Sequence, residues 1–514
     1  MKKLALTLVF SMILMTGCQG SASVAKVTKP LIKGESDRFN NTEISYPEES
    51  PLDEDDIYVP GEDNSSSENV SKSEEEAQQQ EELKKQEELK KQQEELKKQE
   101  ELKKQQEELK KQEELKKQQE ELKKQEEEKI QQEEEFEETN SANINTNNTG
   151  EMRAVWVSYL EFLTLAQNQT EQGFRNNMDY LLKTSADFGL NTVFVQVRPF
   201  GDALYDSKYF PYSYCLTGTE GIDPGYDPLQ IIIEISKKYN LSVHAWINPY
   251  RVRVPGSNKP ISADNIVNNY IASGSDAVIR YNGGTYYNPA SQKARDLIVA
   301  GALEIIENYD VDGIHMDDYF YPTTDKEFDI EYYKAYVNQG GKLSHDAWRR
   351  QNVDTLLRQM YSSIKNTDSS IIFGVSPQAR MDINYNGQYA DVGKWLSGSG
   401  YVDYVCPQIY FGFDHETVPY KETLKMWNDM AKKGNKKLYA GLAAYKCGVL
   451  DNGAKSGKNE WVNNADILAK QVLSAREFSQ YGGFAIYRFD SLFRPEASLK
   501  NHMAYERKAL KSIM

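Results

Sequence analysis

The sequence predicts an α/β fold, a (β/α)₈ barrel (TIM barrel) over residues 151–514, from two observations. Eight short runs rich in β-branched and aromatic residues recur, and amphipathic segments separate them. Strict alternation of strand and helix indicates a parallel sheet. Eight such units favour the closed barrel. The alternative is a doubly wound open sheet, but no glycine-rich phosphate loop follows the first strand.

The predicted strands can be read in order along the chain. They cover residues 154–159, 192–198, 242–249, 313–318, 371–377, 404–411, 438–445 and 483–489. The clearest helical segments between them cover residues 173–188, 228–239, 291–309, 346–365 and 463–478. Their apolar residues recur with the spacing of one helix face, which predicts helices packed on the outside of the barrel.

The first 18 residues resemble a bacterial lipoprotein signal. Lys2 and Lys3 precede an apolar run that is too short to span a membrane, and the run ends in Met15-Thr16-Gly17-Cys18. Small residues before a cysteine at this position predict that Cys18 is lipidated, which implies a membrane anchor facing outside the cytoplasm. An ordinary signal peptide with an incidental cysteine is the alternative.

A tether separates this signal from the barrel. Residues 19–73 are polar and predict a disordered linker, and residues 138–150 predict a flexible joint. Between them, residues 74–137 repeat Glu-Glu-Leu-Lys-Lys-Gln with an occasional extra Gln. Each Glu precedes a Lys by three or four residues, which favours a charged single helix as a stalk. One leucine per repeat is too few for a regular heptad pattern, so a weak coiled coil is the alternative.

The charge and the cysteines narrow the class of protein. The formal net charge is −17, and much of it lies in the stalk. The acidity argues against nucleic acid as a partner, because no basic surface is left to bind phosphates. Beyond Cys18, only Cys215, Cys406 and Cys447 remain. Three cysteines allow at most one disulfide, and their spacing fits no zinc site, so we expect buried thiols.

Candidate site residues lie where the predicted strands end, because TIM barrels carry their chemistry there. These ends combine acids, amides and aromatic side chains, a mixture that suits the hydroxyl groups and C–H faces of sugars. The candidate substrate-binding residues are Gln196, Arg198, Trp246, Asn248, Tyr250, His315, Tyr319, Gln408 and Tyr410. A core position is the alternative for the aromatic residues and for His315.

The densest signal is the run 309–322, YDVDGIHMDDYFYP. Period-two alternation places Gly313, His315 and Asp317 on one strand face, so that Asp317 reaches the barrel mouth and Asp318 begins the loop. Glycoside hydrolysis needs one protonated and one ionised carboxyl group, and two adjacent acids raise each other's proton affinity. We therefore predict catalytic roles for Asp317 and Asp318. Capping of the loop or pairing with Arg251 is the alternative for Asp318.

A second catalytic carboxylate is harder to choose from the sequence. Glu161 follows the first strand and is the preferred candidate, while Asp414, Glu416 and Asp490 follow later strands. A metal site built on His315 and the two aspartates, completed by Asn248 or Gln408, is a weaker alternative, since no zinc-binding motif is present. We expect neither a metal nor a cofactor.

At these residues the chain resembles the glycosyl hydrolase-like 10 family. The matching stretches are RAVWVSYLEF (153–162), NTVFVQVRPFGDALYDSKYFPYS (191–213), GYDPLQ (225–230), HAWINPYRV (244–252), YDVDGIHMDDYFYP (309–322) and PQIYF (407–411). The resemblance implies a TIM barrel, secretion or lipid anchoring, and hydrolysis of a glycan, which in some relatives is peptidoglycan stripped of its stem peptides. It assigns no catalytic residue.

The sequence therefore predicts a cell-surface glycoside hydrolase that acts on an extracellular polysaccharide such as peptidoglycan. A non-catalytic glycan-binding or scaffold protein on the same barrel is the alternative, because a fold does not fix an activity.

Overall fold

A computed structural model describes residues 150–514 and five isolated residues of the charged repeat. Those five residues, all α-helical, are Lys91, Lys103, Lys110, Lys111 and Lys117. Cys18, the predicted linker and joint, and the rest of the stalk lie outside the described residues, so their assignments stay predictions. Within the described part of the chain, no helix combines the length and apolarity that crossing a membrane requires.

Eleven strands form two sheets. The strands are β1 (Met152–Val157), β2 (Thr192–Arg198), β3 (Ser242–Ile247), β4 (Arg251–Arg253), β5 (Val278–Tyr281), β6 (Gly284–Tyr287), β7 (Gly313–Met316), β8 (Ile372–Val375), β9 (Tyr404–Val405), β10 (Lys437–Ala443) and β11 (Tyr481–Tyr487). All but β4, β5 and β6 close into one barrel in which successive strands are parallel neighbours and β11 pairs with β1. The predicted eight-stranded barrel is confirmed.

Helices connect the barrel strands and cover their outer face. They are α1 (Tyr159–Leu165), α2 (Glu171–Phe188), α3 (Tyr214–Thr217), α4 (Pro228–Lys238), α5 (Ile266–Ala272), α6 (Gln292–Asn308), α7 (Ile330–Asn338), α8 (His345–Thr367), α9 (Met381–Asn386), α10 (Val392–Ser397), α11 (Tyr420–Lys433), α12 (Glu460–Asn463), α13 (Ile467–Arg476), α14 (Phe489–Phe493) and α15 (Lys500–Lys511). The five helical segments predicted from the sequence correspond to α2, α4, α6, α8 and α13.

Side chains fix where the main helices begin and end. The backbone N–H of Gly173 donates to the Thr170 hydroxyl at 3.2 Å and so caps α2. That helix ends at Gly189, whose φ of +110° is a conformation that glycine adopts without strain. At the start of α4, Asp227 accepts from first-turn amides and Pro228 takes the first helical position, where no N–H is needed.

Two features depart from the predicted strands. β9 spans only Tyr404–Val405, because Pro407 has no N–H to continue the ladder. Gln408 then makes isolated bridges to Gln378 and Gly441. The second departure is a three-stranded antiparallel sheet, in the order β4-β6-β5, that the sequence reading did not include. It lies in the connection between β3 and α6.

The barrel interior is filled by large side chains from alternate strand positions. Its buried apolar cluster consists of Ala154, Trp156, Phe194, Trp246, Tyr404, Cys406, Tyr439 and Ala485. Glycines make room for these rings. A Cβ on Gly374 would overlap the ring of Tyr404, and a Cβ on Gly313 would lie 2.9 Å from Nδ1 of His244. The interior is therefore a packed core that closes the barrel beneath its carboxyl-terminal mouth.

A second, larger core lies between the strands and the helices. Cys215 and Cys447 belong to it, whereas Cys406 lies inside the barrel. All three thiols are free and buried, as the sequence predicted. Burial raises the pKa of Cys406 and Cys447 well above the usual thiol range, so these groups stay protonated and act as small apolar side chains.

Candidate active site

The carboxyl-terminal mouth of the barrel carries two adjacent acids, Asp317 and Asp318, directly after β7. Their exposed fractions are only 4% and 6%. Gly313 and His315 face the barrel interior, where they lie beside His244 and Tyr404. Asp317 continues that inward face, so its carboxyl group lies at the mouth of the barrel, as the alternation predicts.

A chain of hydrogen bonds across neighbouring strands orients Asp317. The side-chain amide of Asn248 donates to Oδ1 and Oδ2 of Asp317 at 2.9 and 2.7 Å. Gln196 donates to Oδ1 of Asn248 at 2.7 Å, and the backbone N–H of Tyr159 donates to Gln196 at 2.9 Å. The chain runs from the end of β1 through β2 and β3 to β7. Closure of the barrel therefore sets the position of this carboxyl group.

Asp318 is held from the other side of the mouth. Nε2 of Gln408 donates to its Oδ1 at 2.9 Å, and the side-chain amide of Gln378 donates to its Oδ2. Gln408 is itself fixed, because the same nitrogen also donates to the carbonyl oxygen of Ser376 at 3.0 Å. Two amide donors favour the ionised form of the Asp318 carboxyl group.

The environment separates the proton affinities of the two acids. Burial raises the pKa of Asp317, the neighbouring charge of Asp318 raises it further, and Arg251 lowers it by a smaller amount. Burial also raises the pKa of Asp318, but the amides of Gln408 and Gln378 oppose that rise. The pair therefore binds one proton more strongly than isolated aspartates do. Because the charge of Asp318 adds to the effect of burial on Asp317, we assign the proton to Asp317 and the negative charge to Asp318.

Three tyrosines line the mouth beside Asp318. Tyr410, Tyr445 and Tyr487 follow or end β9, β10 and β11, and all three are half-buried. The ring of Tyr410 lies 5.8 Å from that of Tyr445 and 5.9 Å from that of Tyr487. The charge of Asp318 is close enough to contribute to a raised pKa of Tyr410. Partly exposed aromatic faces next to an acid suit the apolar face of a sugar ring.

A cation lies at the opposite side of the mouth. The guanidinium carbon of Arg251 is 4.7 Å from the ring centre of Phe200 and 4.5 Å from that of Tyr319. Its Nε donates to the carbonyl oxygen of Pro199 at 3.0 Å. Arg251 is half-buried and Tyr319 is exposed, so the guanidinium group is positioned by the protein and still reaches solvent.

The structure thus brings together many of the predicted site residues. Asp317, Asp318, Gln196, Asn248, Tyr319, Gln408 and Tyr410 meet at one mouth. It adds residues that were not among the predicted site residues: Arg251, Gln378, Tyr445 and Tyr487. Each of them lies at the carboxyl end of a barrel strand or a few residues beyond it, so strand-end position is the sequence signal that identifies them.

Glu161, the preferred second carboxylate, is engaged in structural contacts. It is the third residue of α1, and its Oε2 accepts from the N–H and hydroxyl of Ser158 at 2.9 and 2.6 Å, forming a capping box. Its Oε1 accepts from Arg488 and from the backbone N–H of Asp490. Glu161 is fully buried. Because Arg488 pairs with its charge and no part of it is exposed, we assign Glu161 a role in holding α1 to the end of β11.

The other candidate acids make contacts of their own outside the aspartate pair. Asp414 and Glu416 are exposed, and Glu416 pairs with Lys455 at 2.8 Å. Asp490 is half-buried between Arg488 and Arg494, where burial and the charge of Glu161 raise its pKa. Among the described residues, none of the three forms a hydrogen bond with Asp317 or Asp318. The adjacent pair is therefore the acidic centre of this mouth.

His315 and Trp246 lie in the barrel core and do not face the cleft, which corrects their prediction as substrate-binding residues. Nε2 of His315 accepts from the indole of Trp156 at 3.2 Å, so its Nδ1 carries the proton and donates to the Tyr404 hydroxyl at 2.8 Å. The hydroxyl in turn donates to Nδ1 of His244 at 3.1 Å. Burial lowers the pKa of both histidines. Trp246 is 5% exposed and belongs to the same interior cluster.

Arg198 and Tyr250 are also corrections, because both point away from the mouth. A register shift after Gln196 pairs Arg198 with Ile247, so the bulge turns Arg198 to the outer face of the barrel. There it is fully buried, with its guanidinium carbon 4.5 Å from the ring centre of Phe210. Tyr250 is 1% exposed and packs in the core between strands and helices. Neither side chain is accessible to a polysaccharide.

His315, Asp317 and Asp318 were also weighed as metal ligands. In the part of the chain that the structure describes, no three His, Cys, Asp or Glu side chains form a group that could hold a metal ion. The donors around Asp317 and Asp318 are amide N–H groups, which stabilise carboxylates and do not bind cations.

A closed (β/α)₈ barrel with two buried acids at its carboxyl-terminal mouth defines a glycosidase-like protein. More particularly, the chain belongs to the glycosyl hydrolase-like 10 family, whose model matches residues 151–462. The family predicted from the sequence motifs is thereby confirmed.

Individual relatives agree with this family. The glycosyl hydrolase YngK of Bacillus subtilis is 35% identical over 325 residues, which are 59% of this chain and 62% of that protein. The glycosyl hydrolase DigH of Escherichia coli K12 is 32% identical over 389 residues, 67% of this chain and 84% of that protein. The glycoside hydrolase domain of PgaB (BpsB) from Bordetella bronchiseptica matches with 13% identity and a TM-score of 0.47, covering 71% of this chain and 99% of that one.

Proposed function

We propose that the protein is a glycoside hydrolase that cleaves O-glycosidic bonds in an extracellular polysaccharide, with Asp317 and Asp318 as its catalytic acids. One observation carries the proposal. Two adjacent carboxyl groups are buried at the barrel mouth, and amide donors from neighbouring strands hold both of them. The names of the relatives YngK and DigH as glycosyl hydrolases support the same reaction class.

The two acids have distinct parts in this mechanism. Asp317, whose pKa burial and the charge of Asp318 raise, donates a proton to the oxygen of the leaving sugar. Asp318, kept ionised by Gln378 and Gln408, stabilises the positive charge that develops on the sugar ring as the bond breaks. Water then forms the new bond to the anomeric carbon and gives its proton to the carboxylate of Asp317, which restores the starting state. The amide chain that ends at Asn248 keeps the donor oriented, so little reorganisation accompanies proton transfer.

The tyrosines of the mouth bind the sugar. The faces of Tyr410, Tyr445 and Tyr487 pack against the C–H side of a ring, and the exposed ring of Tyr319 borders the cleft from the other side. Aromatic packing of this kind positions a neutral, hydroxyl-rich substrate without a strong charge. The side-chain amide of Gln196 donates to Asn248, and that of Asn248 donates to Asp317. Both residues therefore act by orienting Asp317.

The proposed place of action is the cell surface. Lipidated Cys18 anchors the chain, and the repeat 74–137 forms a helix of about 95 Å at 1.5 Å per residue. The five described residues of the repeat, which are helical, support this arrangement. A barrel tethered outside the membrane suits a wall polymer such as peptidoglycan as substrate. Replacing Cys18 with alanine should move the protein from the membrane fraction to the soluble fraction.

The test of the reaction compares the wild-type chain with Asp317→Asn and Asp318→Asn. Each protein is incubated with peptidoglycan stripped of its stem peptides, chitin oligomers and plant glucans, and new reducing ends are measured. The matched control is Asp310→Asn, because Asp310 lies before the amino end of β7 and pairs with Lys237 on the surface.

Cleavage by wild type and by the Asp310 variant, reduced at least a hundredfold in both site variants, supports the proposal. Binding of a glycan without cleavage by any of the four proteins would instead make this a glycan-binding protein on a hydrolase fold. Full activity in both site variants would place the chemistry elsewhere.

A further inference from the structure

We propose that Arg251 binds a carboxylate group of the substrate, so that the polysaccharide taken by this site carries acidic sugar residues. The inference rests on the proposed function, because it assigns a substrate class to the same cleft. It makes Arg251 the residue that determines specificity, while Asp317 and Asp318 carry out the reaction.

The protein holds the Arg251 side chain in place without pairing its charge. Its guanidinium group lies against the rings of Phe200 and Tyr319, and only Nε is used, as a donor to the carbonyl oxygen of Pro199. Among the described residues, the two terminal nitrogens of Arg251 have no hydrogen-bond acceptor, and no carboxylate lies within 4.0 Å. Those nitrogens form the edge of the fork that binds a carboxylate with two parallel hydrogen bonds.

Three other buried or half-buried arginines pair with an acid of the chain, which Arg251 does not. Arg349 contacts Asp329, Arg476 contacts Glu151 and Arg488 contacts Glu161. In each of these pairs an acid of the chain itself compensates the charge. Arg251 has aromatic neighbours instead, which orient a guanidinium group and leave its hydrogen-bonding edge available.

The position of Arg251 places its ligand next to the reacting bond. Its charge reaches both Asp317 and Asp318 and lowers the pKa of each, and its neighbour Tyr319 directly follows the acids in sequence. A carboxylate on a sugar bound over the acids would otherwise meet the negative charge of Asp318. Arg251 offsets that repulsion locally.

Two kinds of sugar present the required group. In a uronic acid the carboxylate is part of the hexose, and in muramic acid it is a lactyl ether on an amino sugar. The shared chemistry is one carboxylate per acidic residue beside neutral hydroxyl and amide groups. Separate probes distinguish the two sources.

The experiment measures kcat/KM of the full chain on paired substrates. One pair is glycan strands of peptidoglycan without stem peptides, native and with the carboxyl groups reduced to alcohols. The other pair is glucuronate-containing oligomers, native and reduced in the same way. Wild type is compared with Arg251→Gln and with Arg280→Gln, a control on β5 of the same small sheet, where the side chain is exposed.

For the acidic member of the cleaved pair, Arg251→Gln should lower kcat/KM at least tenfold, and for the reduced member less than threefold. Reduction of the substrate should cost wild type a similar tenfold factor, and Arg280→Gln should behave as wild type. An equal loss on both members would overturn the proposal, because Arg251 would then act only on the two aspartates.

A binding measurement keeps this inference separate from the proposed reaction. Dissociation constants of the same four probes are measured with the Asp317→Asn chain, with and without Arg251→Gln. Tighter binding of an acidic probe than of its reduced form, abolished by Arg251→Gln, supports the carboxylate site even if no probe is cleaved. Equal binding of acidic and reduced forms in both pairs overturns it, whatever the activity shows.

Discussion

Removing the hydroxyl group of Tyr404 tests whether the barrel floor is built on the polar chain described above. Tyr404 lies between two buried histidines, accepting from His315 at 2.8 Å and donating to His244 at 3.1 Å. In Tyr404→Phe the ring remains, but both Nδ1 atoms lose their partner. Neither histidine can compensate by taking up a proton, because burial lowers the pKa of both.

The magnitude follows from the two unsatisfied groups. A buried donor or acceptor without a partner costs about 1–3 kcal/mol, so the two together predict a loss of roughly 2–6 kcal/mol in the free energy of unfolding. The aromatic ring keeps its contacts, so no large cavity term is added. That loss is a considerable fraction of the ~5–15 kcal/mol by which domains are stable.

The assay is urea unfolding followed by tryptophan fluorescence, since Trp156 donates to His315 inside the barrel. Tyr439→Phe is the matched control. Its ring centre lies 4.8 Å from that of Tyr404, and within the described residues its hydroxyl has no hydrogen-bond partner. We expect that control to change stability by less than about 1 kcal/mol. Equal unfolding midpoints for the two variants would refute the assignment of the hydrogen-bond chain.

Three further predictions concern the acids, a buried ion pair and the tyrosines. Burial raises the pKa of Asp317 to about 7. Between the ordinary pKa of an aspartate and this raised value, the folded protein holds a proton that the unfolded chain has released, so the free energy of unfolding falls as the pH rises through that range. Asp317→Asn should therefore gain stability over wild type, by more at pH 8 than at pH 4.5 in thermal melts; a pH-independent difference contradicts this. Arg349→Met leaves the buried carboxylate of Asp329 without its arginine, with only the His345 ring nitrogen beside it. The change should cost about 3–5 kcal/mol in urea unfolding, whereas a loss below 1 kcal/mol would show the pair to be dispensable. Tyr487→Ala should raise KM for the cleaved polysaccharide about tenfold, since aromatic contacts are worth about 0.5–1.5 kcal/mol beyond burial, with kcat changing less; an unchanged KM removes Tyr487 from the sugar site.

Much of the barrel could be predicted from the sequence, because its signals are local. The β-branched run of β2 gives both of its boundaries, Thr192 and Arg198. The small sheet was missed although part of it has a local signal. Asn282-Gly283 joins β5 and β6, and both residues have positive φ (+46° and +78°), as a two-residue hairpin turn requires. The third strand, β4, has only three residues and is defined by pairing with distant β6, which no local pattern reports.

The site was predictable where alternation continues and not where one residue changes the register. Asp317 follows the inward face of β7, so period two was sufficient. Arg198 lies beyond a bulge, and a single extra residue turned it from the mouth to the outer face. Glu161 follows a strand end as a catalytic acid would, but it is also the third residue of a helix. Its carboxylate accepts a hydrogen bond from the capping residue Ser158. The partner of a carboxylate is a tertiary property that spacing does not encode.

The small sheet that carries Arg251 separates the proposed recognition of substrate from the proposed reaction. The acids and the amides that orient them belong to the barrel, where a change of one strand disturbs its neighbours. Arg251 begins β4, in a sheet separate from the barrel, within an excursion between β3 and α6. With the proposed roles of these residues, a change confined to that excursion would alter recognition of the polymer and leave Asp317 and Asp318 in place. Selectivity would then be separable from the reaction, and loop replacement at residues 251–287 would be a route to new substrates.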